Sequence, residues 1–376
     1  MSDKSFESLL PAPVAEMTDH SESAPAPLPG PLPLAAALRT VARFLPPLRA
    51  GACARLALAM YAAFVAATWH ARYSVEPWGP LWAVKVVHGF WGRIMRLCGV
   101  ESRIVLPREL VHLLEQGQLT PSVVSFSPHG AMAVGHILCG IGRQRLVPEL
   151  QLFRPVAGIA SVLFNVPLVR ETLLLFGARD AKKSVMDAAL ASGRSVALNT
   201  GGIWEQLSVD DSREALFLQP NLGFIRLALR HAVPIIPSYA FGESQLYRTS
   251  AAALGLRQWL ARRFRVGIPA ARGQPFGLPL PLPVLPYPTK WTYVVGRPVA
   301  TSAVPVAEPT EEQVREVLAR WEDEVLRLFN EHKDELLPPH VAQKGLTISS
   351  LSERDRAGAG SAGSPRAAAV PVRSRL

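Results

Sequence analysis

SVVSFSPHG, at residues 122–130, runs from a short apolar segment straight into a proline, a histidine and a glycine. A valine-rich run that ends in this way predicts a buried strand at residues 122–126, followed by a turn. Similar runs predict further strands at residues 195–198, 234–241 and 292–295. Apolar residues at helical spacing predict helices at residues 182–192, 222–231 and 311–336. This alternation indicates an α/β domain in which helices flank a central mixed sheet.

The residues after the first predicted strand suit catalysis. Pro128 fixes the backbone before His129, and Gly130 lets a substrate come close. A histidine can act as a general base near neutral pH because its ordinary pKa lies there. The other interpretation is structural, since a single histidine in such a turn is often a helix cap or a hydrogen-bonded core residue.

A second candidate site follows the predicted strand at residues 195–198. The paired glycines Gly201 and Gly202 can expose backbone N–H groups to an anion or an oxyanion. Glu205, one helical turn further on, is a candidate to orient the imidazole of His129. Its alternative role is simpler, because the helix dipole favours an acidic residue in the first turn of a helix.

Two arginines on the predicted helix at residues 222–231 form a third candidate. Arg226 and Arg230 are four residues apart and therefore lie on one helix face. They could hold phosphate groups, although a solvated helix face is the simpler interpretation.

Several kinds of site are absent from the sequence. It has no G-x-S-x-G motif, no P-loop, no G-x-G-x-x-G after a predicted strand and no H-E-x-x-H zinc motif. The three cysteines form no C-x-x-C pair. The sequence thus predicts histidine and carboxylate chemistry without a metal.

The composition limits the class of protein. Of the 376 residues, 49% are hydrophobic and only 19% are charged, with a mean hydropathy of +0.17. Such a chain can build a large core, but its low charge is unusual for a wholly soluble protein. It has no run of 18 apolar residues and is therefore not a multi-span membrane bundle.

The net charge of +10 lies in the body of the chain. Since residues 1–35 carry −4 and residues 352–376 carry +3, the residues between them carry +11. A basic body attracts anionic partners such as phospholipid headgroups, nucleic acid or coenzyme A. Nucleic acid is the weaker choice, because the sequence has no RNP, zinc-finger or basic-zipper pattern.

The N-terminal part divides into a leader and a hydrophobic region. Residues 1–35 are rich in proline and predicted to be disordered, and their acidic start argues against a signal peptide. Residues 36–98 hold two apolar segments, at residues 56–69 and 81–97. The first would make about 21 Å of helix, less than the roughly 30 Å of a hydrocarbon layer. We therefore predict a helical hairpin embedded in one membrane leaflet; the alternative is a buried helix pair.

The C-terminal part contains three segments of biased composition. The stretch RQWLARRFRVG (257–267) indicates either a basic helix at a membrane interface or an ordinary exposed helix. Residues 275–288 are too rich in proline for regular structure. Residues 338–376 form a tail that is predicted to be disordered, which leaves residues 99–337 as the folded domain.

Six stretches carry motifs that can be compared with a known family: FSPHGAMAVG (126–135), NVPLVRETLLLFG (165–177), GGIWEQL (201–207), LGFIRLALRHAVPIIPSYAFGESQLY (222–247), LPYPTKWTYVVGRPV (285–299) and PTEEQVREVLARWEDEVLRLFNEHKDEL (309–336). In this order they resemble the type 2 diacylglycerol acyltransferase family, which includes the monoacylglycerol and wax-alcohol acyltransferases. The resemblance covers about residues 85–337. It implies an α/β acyltransferase domain preceded by a membrane-embedded N-terminal hairpin.

The resemblance also implies a location and an activity. Enzymes of this family lie in the endoplasmic reticulum membrane and visit lipid droplets. They join a fatty acyl group from acyl-CoA to a glyceride hydroxyl, with acyl-CoA as a co-substrate and no other cofactor.

The family's motifs map onto this sequence with two departures. His-Pro-His-Gly, which is Glu-Pro-His-Ser in plants, becomes Ser127-Pro128-His129-Gly130. Gly-Gly-x-x-Glu maps to Gly201, Gly202 and Glu205, whereas Arg-x-Gly-Phe becomes Asn221-Leu222-Gly223-Phe224. The substitution at Ser127 argues against an essential proton role at that position and leaves His129 as the base.

These observations lead to a hypothesis of direct acyl transfer from acyl-CoA to diacylglycerol. His129, oriented by Glu205, would take the proton of the hydroxyl, and backbone N–H groups at Gly130 or at the Gly201–Gly202 pair would stabilise the oxyanion. Arg226 and Arg230 would bind the acyl-CoA phosphates, and phospholipid would hold the protein at the membrane.

Other interpretations remain open at this point. The same chemistry could act on monoacylglycerol, a long-chain alcohol or a sterol-like hydroxyl. A non-catalytic lipid-binding protein of lipid droplets is the alternative from another class. The sequence leaves open whether the chain forms a homo-oligomer.

Overall fold

The computed structural model describes residues 52–350, apart from residues 120, 220, 265 and 275–284. The predicted leader at residues 1–35, the start of the predicted hairpin at residues 36–51 and the chain end from residue 351 lie outside the described residues, as does most of the proline-rich stretch.

The described helices are, in chain order, α1 (Ala52–Ala67), α2 (Leu81–Leu97), α3 (Arg108–Glu115), α4 (Pro148–Gln151), α5 (Val169–Leu175), α6 (Lys183–Ala191), α7 (Gly202–Ser208), α8 (Gly223–Arg230), α9 (Leu254–Phe264), α10 (Glu311–Leu336) and α11 (Pro339–Ala342). Shorter helical turns lie at Trp69–Arg72, His136–Gly140, Ile141–Arg143, Ser161–Asn165 and Ser244–Leu246.

The described strands are β1 (Val100–Val105), β2 (Val123–Ser127), β3 (Val156–Ile159), β4 (Ala178–Asp180), β5 (Val196–Asn199), β6 (Glu214–Leu218), β7 (Ile235–Phe241), β8 (Arg248–Thr249), β9 (Ala271–Arg272), β10 (Thr289–Val295) and β11 (Leu346–Ser350).

Seven of the strands form one mixed sheet in the order β1-β10-β7-β2-β5-β3-β4. Neighbouring strands are parallel except for β10 and β7, which are antiparallel. Two small sheets accompany it, one of β6 with β11 and one of β8 with β9.

Three parallel strands, β5, β2 and β7, lie side by side in the middle of the large sheet. Phe126 in β2 pairs with Asn199 in β5, and Ser127 pairs with Tyr239 in β7. Because the strands are parallel and in register, the segments that follow them leave the sheet at the same edge. This register places the turn of His129 beside the segments that begin at Thr200 and Gly242.

Apolar layers cover both faces of the large sheet. On one face α10 packs against β7, and Trp321 donates from Nε1 to Ser125 Oγ at 2.7 Å. On the other face Val84 from α2 and Leu173 from α5 belong to the same buried cluster as Phe126. Burial of each such side chain stabilises the fold by about 1.5–3 kcal/mol relative to exposure.

Helix α10 begins where its sequence provides a cap. The Thr310 hydroxyl accepts the N–H of Gln313 at 3.2 Å, and the Gln313 side chain accepts the N–H of Thr310 at 3.0 Å. This reciprocal pair satisfies two backbone donors at the helix start. The helix occupies Glu311–Leu336, the range that the sequence predicts.

The four strands that the sequence predicts lie at β2, β5, β7 and β10, each with bounds within three residues of the prediction. Most of the basic segment at residues 257–267 lies in α9, which begins and ends three residues earlier than that segment. Strands β3 and β4 were not predicted, because four and three residues are too few to show a period.

The tail differs from the prediction of disorder from residue 338. Helix α11 follows α10 almost directly, and Val341 within it is fully buried. Strand β11 then pairs in parallel with β6, from Leu346 beside Glu214 to Ser350 beside Leu218. The prediction was wrong for residues 338–350, because the β-branched stretch there supplies the second strand of a small sheet.

Helices α1 and α2 occupy the region that is predicted to be a membrane hairpin. Among the described residues, no helix has both the length and the apolar character needed to cross a bilayer. Val84 on α2 is buried, yet the same helix exposes Trp82, Val86 and Phe90. Helix α1 likewise exposes large apolar side chains, at Leu56, Met60 and Phe64. The region therefore packs on the domain with one side and presents an apolar surface on the other.

Candidate active site

His129 lies in the turn that follows β2, in the middle of the carboxyl edge of the large sheet. The Ser127–Pro128 peptide bond before it is cis. Gly130 after it has a φ of +65°, in the left-handed region that favours glycine. The turn therefore favours glycine at residue 130, directly after the histidine that the sequence singled out.

The His129 imidazole is half-buried and uncharged. Its Nδ1 lies 3.0 Å from the carbonyl oxygen of Gly130, so Nδ1 carries the proton and donates it in this bond. Burial lowers the pKa of His129 below its ordinary value, which favours the neutral ring. In that tautomer Nε2 holds a lone pair and can accept a proton, as a general base must.

Glu205 lies beneath the same turn, on α7, and is fully buried. Neither carboxylate oxygen has a hydrogen-bond partner of good geometry among the described residues. Burial raises the pKa of Glu205 to about 8, and the nearby backbone N–H groups of His129 and Gly201 only partly oppose this. The carboxyl group is therefore mostly protonated at neutral pH.

The sequence predicts that Glu205 contacts the His129 ring, but the structure shows different neighbours for both groups. His129 Nδ1 bonds to Gly130, while Glu205 lies near the backbone N–H of His129. Glu205 is thus placed to support the backbone of the turn rather than to orient the imidazole directly.

The paired glycines have a different role from the predicted one. The Asn199 side-chain oxygen accepts the N–H groups of both Gly201 and Gly202, each at 3.1 Å. These two donors are therefore bonded to Asn199 in this structure, and the predicted oxyanion role would require them to leave it. Glycine is required at residue 201 because a Cβ there would lie 2.0 Å from an oxygen of Glu205.

His136, which the sequence analysis did not single out, supports the turn from its other end. Its Nε2 donates to the carbonyl oxygen of Pro128 at 2.7 Å. The ring packs on Phe126, with centroids 4.7 Å apart. Burial lowers the pKa of His136 to about 3, so this histidine stays neutral and serves as a hydrogen-bond donor.

Glu243 is a second functional candidate that the sequence analysis missed. It follows β7, is 1% exposed, and accepts three hydrogen bonds: from Gly135 N at 3.3 Å, His136 N at 3.1 Å and Trp291 Nε1 at 2.7 Å. The turn packs tightly on it, since a Cβ on Gly130 would lie 2.7 Å from Glu243 Cγ. Burial raises the pKa of Glu243 to about 8, and the three donors oppose this. Its position after a central strand, in Phe-Gly-Glu, was the available signal.

An apolar cavity lies beside the turn, beneath the large sheet. Its volume is about 60 Å³, well below the roughly 300–1,000 Å³ of whole ligand sites, so it is a narrow space. Side chains of β1, β2, β5 and β10 line it, and His136 lies at its wall. Its apolar lining suits a short hydrocarbon segment rather than a polar group.

Comparison with known proteins places the chain. A family model described as diacylglycerol acyltransferase matches residues 106–342, which include the turn, both buried carboxyl groups and the cavity. The chain belongs to the diacylglycerol acyltransferase family. It is an acyltransferase, and the resemblance of its sequence motifs to the type 2 family is confirmed.

Individual relatives agree with this assignment. This acyltransferase is 32% identical to human 2-acylglycerol O-acyltransferase 3, over 60% of its own length and 69% of that protein. It is 29% identical to diacylglycerol O-acyltransferase 2B of Umbelopsis ramanniana, over 60% of its length and 68% of the relative. It is 28% identical to mouse diacylglycerol O-acyltransferase 2, over 56% of each chain.

In this acyltransferase the side chain of Ser127 points away from solvent. It is fully buried, and its Oγ lies 3.0 Å from the hydroxyl of Thr200. The serine therefore ties the end of β2 to the segment after β5, a structural contact that fits the absence of a proton role.

The two arginines predicted to bind phosphate are engaged elsewhere. Arg226 pairs with Glu311 at 2.5 Å and donates to the Pro309 carbonyl, and Arg230 pairs with Asp187 at 3.2 Å. Arg230 ends α8, which leads into the amino end of β7, at the sheet edge opposite to His129. We therefore leave both arginines out of the active site. Within the described ranges no group of three or more potential metal ligands is present.

Proposed function

We propose that this acyltransferase moves a fatty acyl group from acyl-CoA to the free hydroxyl of diacylglycerol, forming triacylglycerol. The observation that carries the proposal is His129, which is held through Nδ1 so that Nε2 can accept a proton, in the turn between Phe126 and His136, two residues that line an apolar cavity. Two of the relatives described above are named diacylglycerol O-acyltransferases.

The proposed transfer occurs in one addition and one elimination. The hydroxyl oxygen attacks the thioester carbonyl carbon while its proton passes to Nε2 of His129. Collapse of the tetrahedral intermediate breaks the carbon–sulfur bond, and the proton on His129 passes to the leaving thiolate. The products are the new ester and free CoA, and His129 returns to its neutral form. Backbone N–H groups of the turn around Gly130 are the remaining candidates to stabilise the oxyanion.

We place the protein at the membrane of the endoplasmic reticulum, with lipid droplets as a second location. The exposed apolar side chains of α1 and α2 support contact with phospholipid. Helix α9 adds Leu256, Trp259 and Phe264, all exposed, next to basic residues. A basic and apolar surface of this kind suits an anionic bilayer surface.

The second candidate acceptor is 2-monoacylglycerol. The relative at 32% identity, for which 69% of the length is covered, is named a 2-acylglycerol O-acyltransferase. Both acceptors present a glyceride hydroxyl to the same base, so the two reactions share the chemistry above.

A panel of acceptors tests the proposal. Membranes from cells that lack neutral-lipid synthesis would receive the chain or an empty vector, then labelled oleoyl-CoA with diacylglycerol, 2-monoacylglycerol or hexadecanol. We expect label in triacylglycerol, above the vector control. Label confined to the monoacylglycerol product assigns the second acceptor, and label confined to wax ester or absent from every product contradicts the proposal.

A further inference from the structure

Four arginines converge on a cleft at the far end of the large sheet from β1. Arg145, Arg154, Arg179 and Arg194 line a space of about 850 Å³, part of it open to solvent. Arg179 lies on the edge strand β4, while Arg154 and Arg194 lie two residues before β3 and β5. The cleft is thus at the amino edge of these strands, opposite to the edge that carries His129.

The positive charge of these arginines is hardly compensated. In the described part of the chain, the acceptors recorded for Arg145 and Arg179 are neutral backbone carbonyls: those of Trp78, Gly79 and Leu175 for the first, and of Ser74, Glu76, Leu174 and Ala178 for the second. Arg194 pairs with Glu76 at 3.0 Å, and that carboxylate side chain is 71% exposed. Four guanidinium groups therefore share a single bonded carboxylate, which leaves a local excess of positive charge.

The guanidinium groups in the cleft are close enough to repel one another. Burial, together with the nearby charges of Arg145 and Arg194, lowers the pKa of Arg179 to about 10. A bound anion would relieve this repulsion and would gain charge-assisted hydrogen bonds, which guanidinium groups form well with phosphate.

The start of α2 adds to the positive field. Leu81, the first residue of the helix, lines the cleft. The first turn of α2 contains no acidic residue, and no side chain caps it. The partial positive charge of this helix N-terminus therefore lies beside the same space as the arginines.

We propose that the cleft binds a phosphate group of an amphiphilic ligand, either the phosphates of acyl-CoA or the headgroup of an anionic phospholipid. Gln144 and Pro155 line both this cleft and the apolar cavity, so the two spaces are adjacent. A ligand with its phosphate among the arginines would have its apolar part next to this cavity, whose wall includes His136. The acyl-CoA form of the proposal rests on the proposed function.

The variant that tests the site is the double substitution Arg154→Gln with Arg194→Gln. Arg154 is exposed and Arg194 bonds a side chain that is itself mostly exposed, whereas Arg145 and Arg179 hold backbone carbonyls and are left intact. Glu76→Gln is the opposite test, since it removes the bonded carboxylate. Arg103→Gln is the matched control, because Arg103 is exposed on β1 at the other end of the sheet.

Binding would be measured directly on the full chain in nonionic detergent, without turnover. CoA is titrated by calorimetry, and cosedimentation compares vesicles of phosphatidylcholine with vesicles that contain phosphatidate. We expect the double variant to bind one of these probes at least about tenfold more weakly, the loss to shrink at high salt, and Glu76→Gln to bind more tightly. Arg103→Gln should match the wild type, and all variants should melt within a few degrees of it.

The outcomes distinguish acyl-CoA from a lipid headgroup as the ligand. They also distinguish failure of the cleft proposal from failure of the proposed function. A loss for CoA assigns the cleft to acyl-CoA, and a loss for phosphatidate vesicles alone assigns it to a lipid headgroup. Unchanged affinity of the double variant for both probes, or no binding of either by the wild type, overturns the site. A wild-type chain that binds CoA but makes no labelled ester overturns the proposed function instead.

Discussion

At the scale of single residues, two buried carboxyl groups support the turn that carries His129. Glu205 lies beneath the backbone N–H of His129, and Glu243 receives the N–H groups of Gly135 and His136. Burial raises the pKa of each carboxyl group to about 8. The two carboxyl groups thus pack around the turn, and neither forms a hydrogen bond with the His129 ring.

Replacement of Glu205 by glutamine should be tolerated. Since the carboxyl group is mostly protonated at neutral pH, a neutral amide of similar shape should keep activity within about tenfold of the wild type. A drop of several orders of magnitude would instead show that an ionised Glu205 acts on the imidazole. Equal expression and a circular-dichroism melt provide the control.

The same substitution predicts a change in the pH dependence of stability. The folded state holds the Glu205 proton more tightly than the unfolded chain, because its pKa is raised from 4.5 to about 8. The contribution of this group is therefore present below about pH 4.5 and is lost as the pH rises through 8, on the order of 5 kcal/mol in total. The free energy of unfolding in urea should differ less between pH 5 and pH 8 for Glu205→Gln than for the wild type. Identical differences would contradict the raised pKa.

Glu243 should act as a positioning residue. Glu243→Ala removes the acceptor of three hydrogen bonds, and a displacement of the turn by about 1 Å can cost on the order of 10²-fold in rate. We expect kcat to fall and the KM for acyl-CoA to stay nearly constant, with partial recovery in Glu243→Gln. A folded alanine variant with wild-type kcat would contradict this role.

These supporting residues show why sequence reasoning reaches only part of the site. The turn residues could be predicted because proline, histidine and glycine are adjacent in the sequence. Glu243 could not be assigned, since it meets His136 across 107 residues of chain. The ion pairs of Arg226 and Arg230 were likewise out of reach of the sequence, because their carboxylate partners lie on other helices.

At the scale of elements, the start of α7 depends on the close approach of Gly201 to the side chain of Glu205. A Cβ at residue 201 would lie 2.0 Å from Glu205 Oε2 and 2.4 Å from its Cβ. Gly201→Ala should therefore destabilise the fold by about 1–3 kcal/mol through overpacking and lower activity as the turn shifts.

The matched control for this substitution is Gly89→Ala. Gly89 lies inside α2, and a Cβ there meets no atom within 4 Å. This change should stabilise the protein by up to about 1 kcal/mol, as alanine does in place of glycine inside a helix. Chemical unfolding measures both variants, and equal stability of Gly201→Ala and the wild type would contradict the packing argument.

The sequence predicts the bounds of those helices and strands that have a strong local pattern. Helix α10 has an amphipathic pattern over seven turns and a cap at Thr310, and its bounds match the prediction. Strands β3 and β4 are short, and β11 depends on β6, which is more than 120 residues away in the chain. Tertiary pairing, not local propensity, determines such strands.

At the scale of the whole molecule, the candidate active site and the arginine cleft lie at opposite edges of one sheet. His129 and the two buried carboxyl groups occupy the carboxyl edge, and the arginine cleft occupies the amino edge. The apolar cavity lies between them beneath the sheet. Together with the exposed apolar faces of α1, α2 and α9, this arrangement accounts for a chain that is both basic and hydrophobic.

The most direct test of the central claim is acyl transfer by His129→Ala. Membranes with equal amounts of the wild type or the variant would receive labelled oleoyl-CoA and diacylglycerol. His112→Ala is the control, because that histidine is exposed on α3 and bonded to Gln116. We predict that the control makes triacylglycerol like the wild type and that His129→Ala loses about 10²–10⁴-fold in rate. Equal rates for His129→Ala and the wild type would contradict the assignment of His129 as the base.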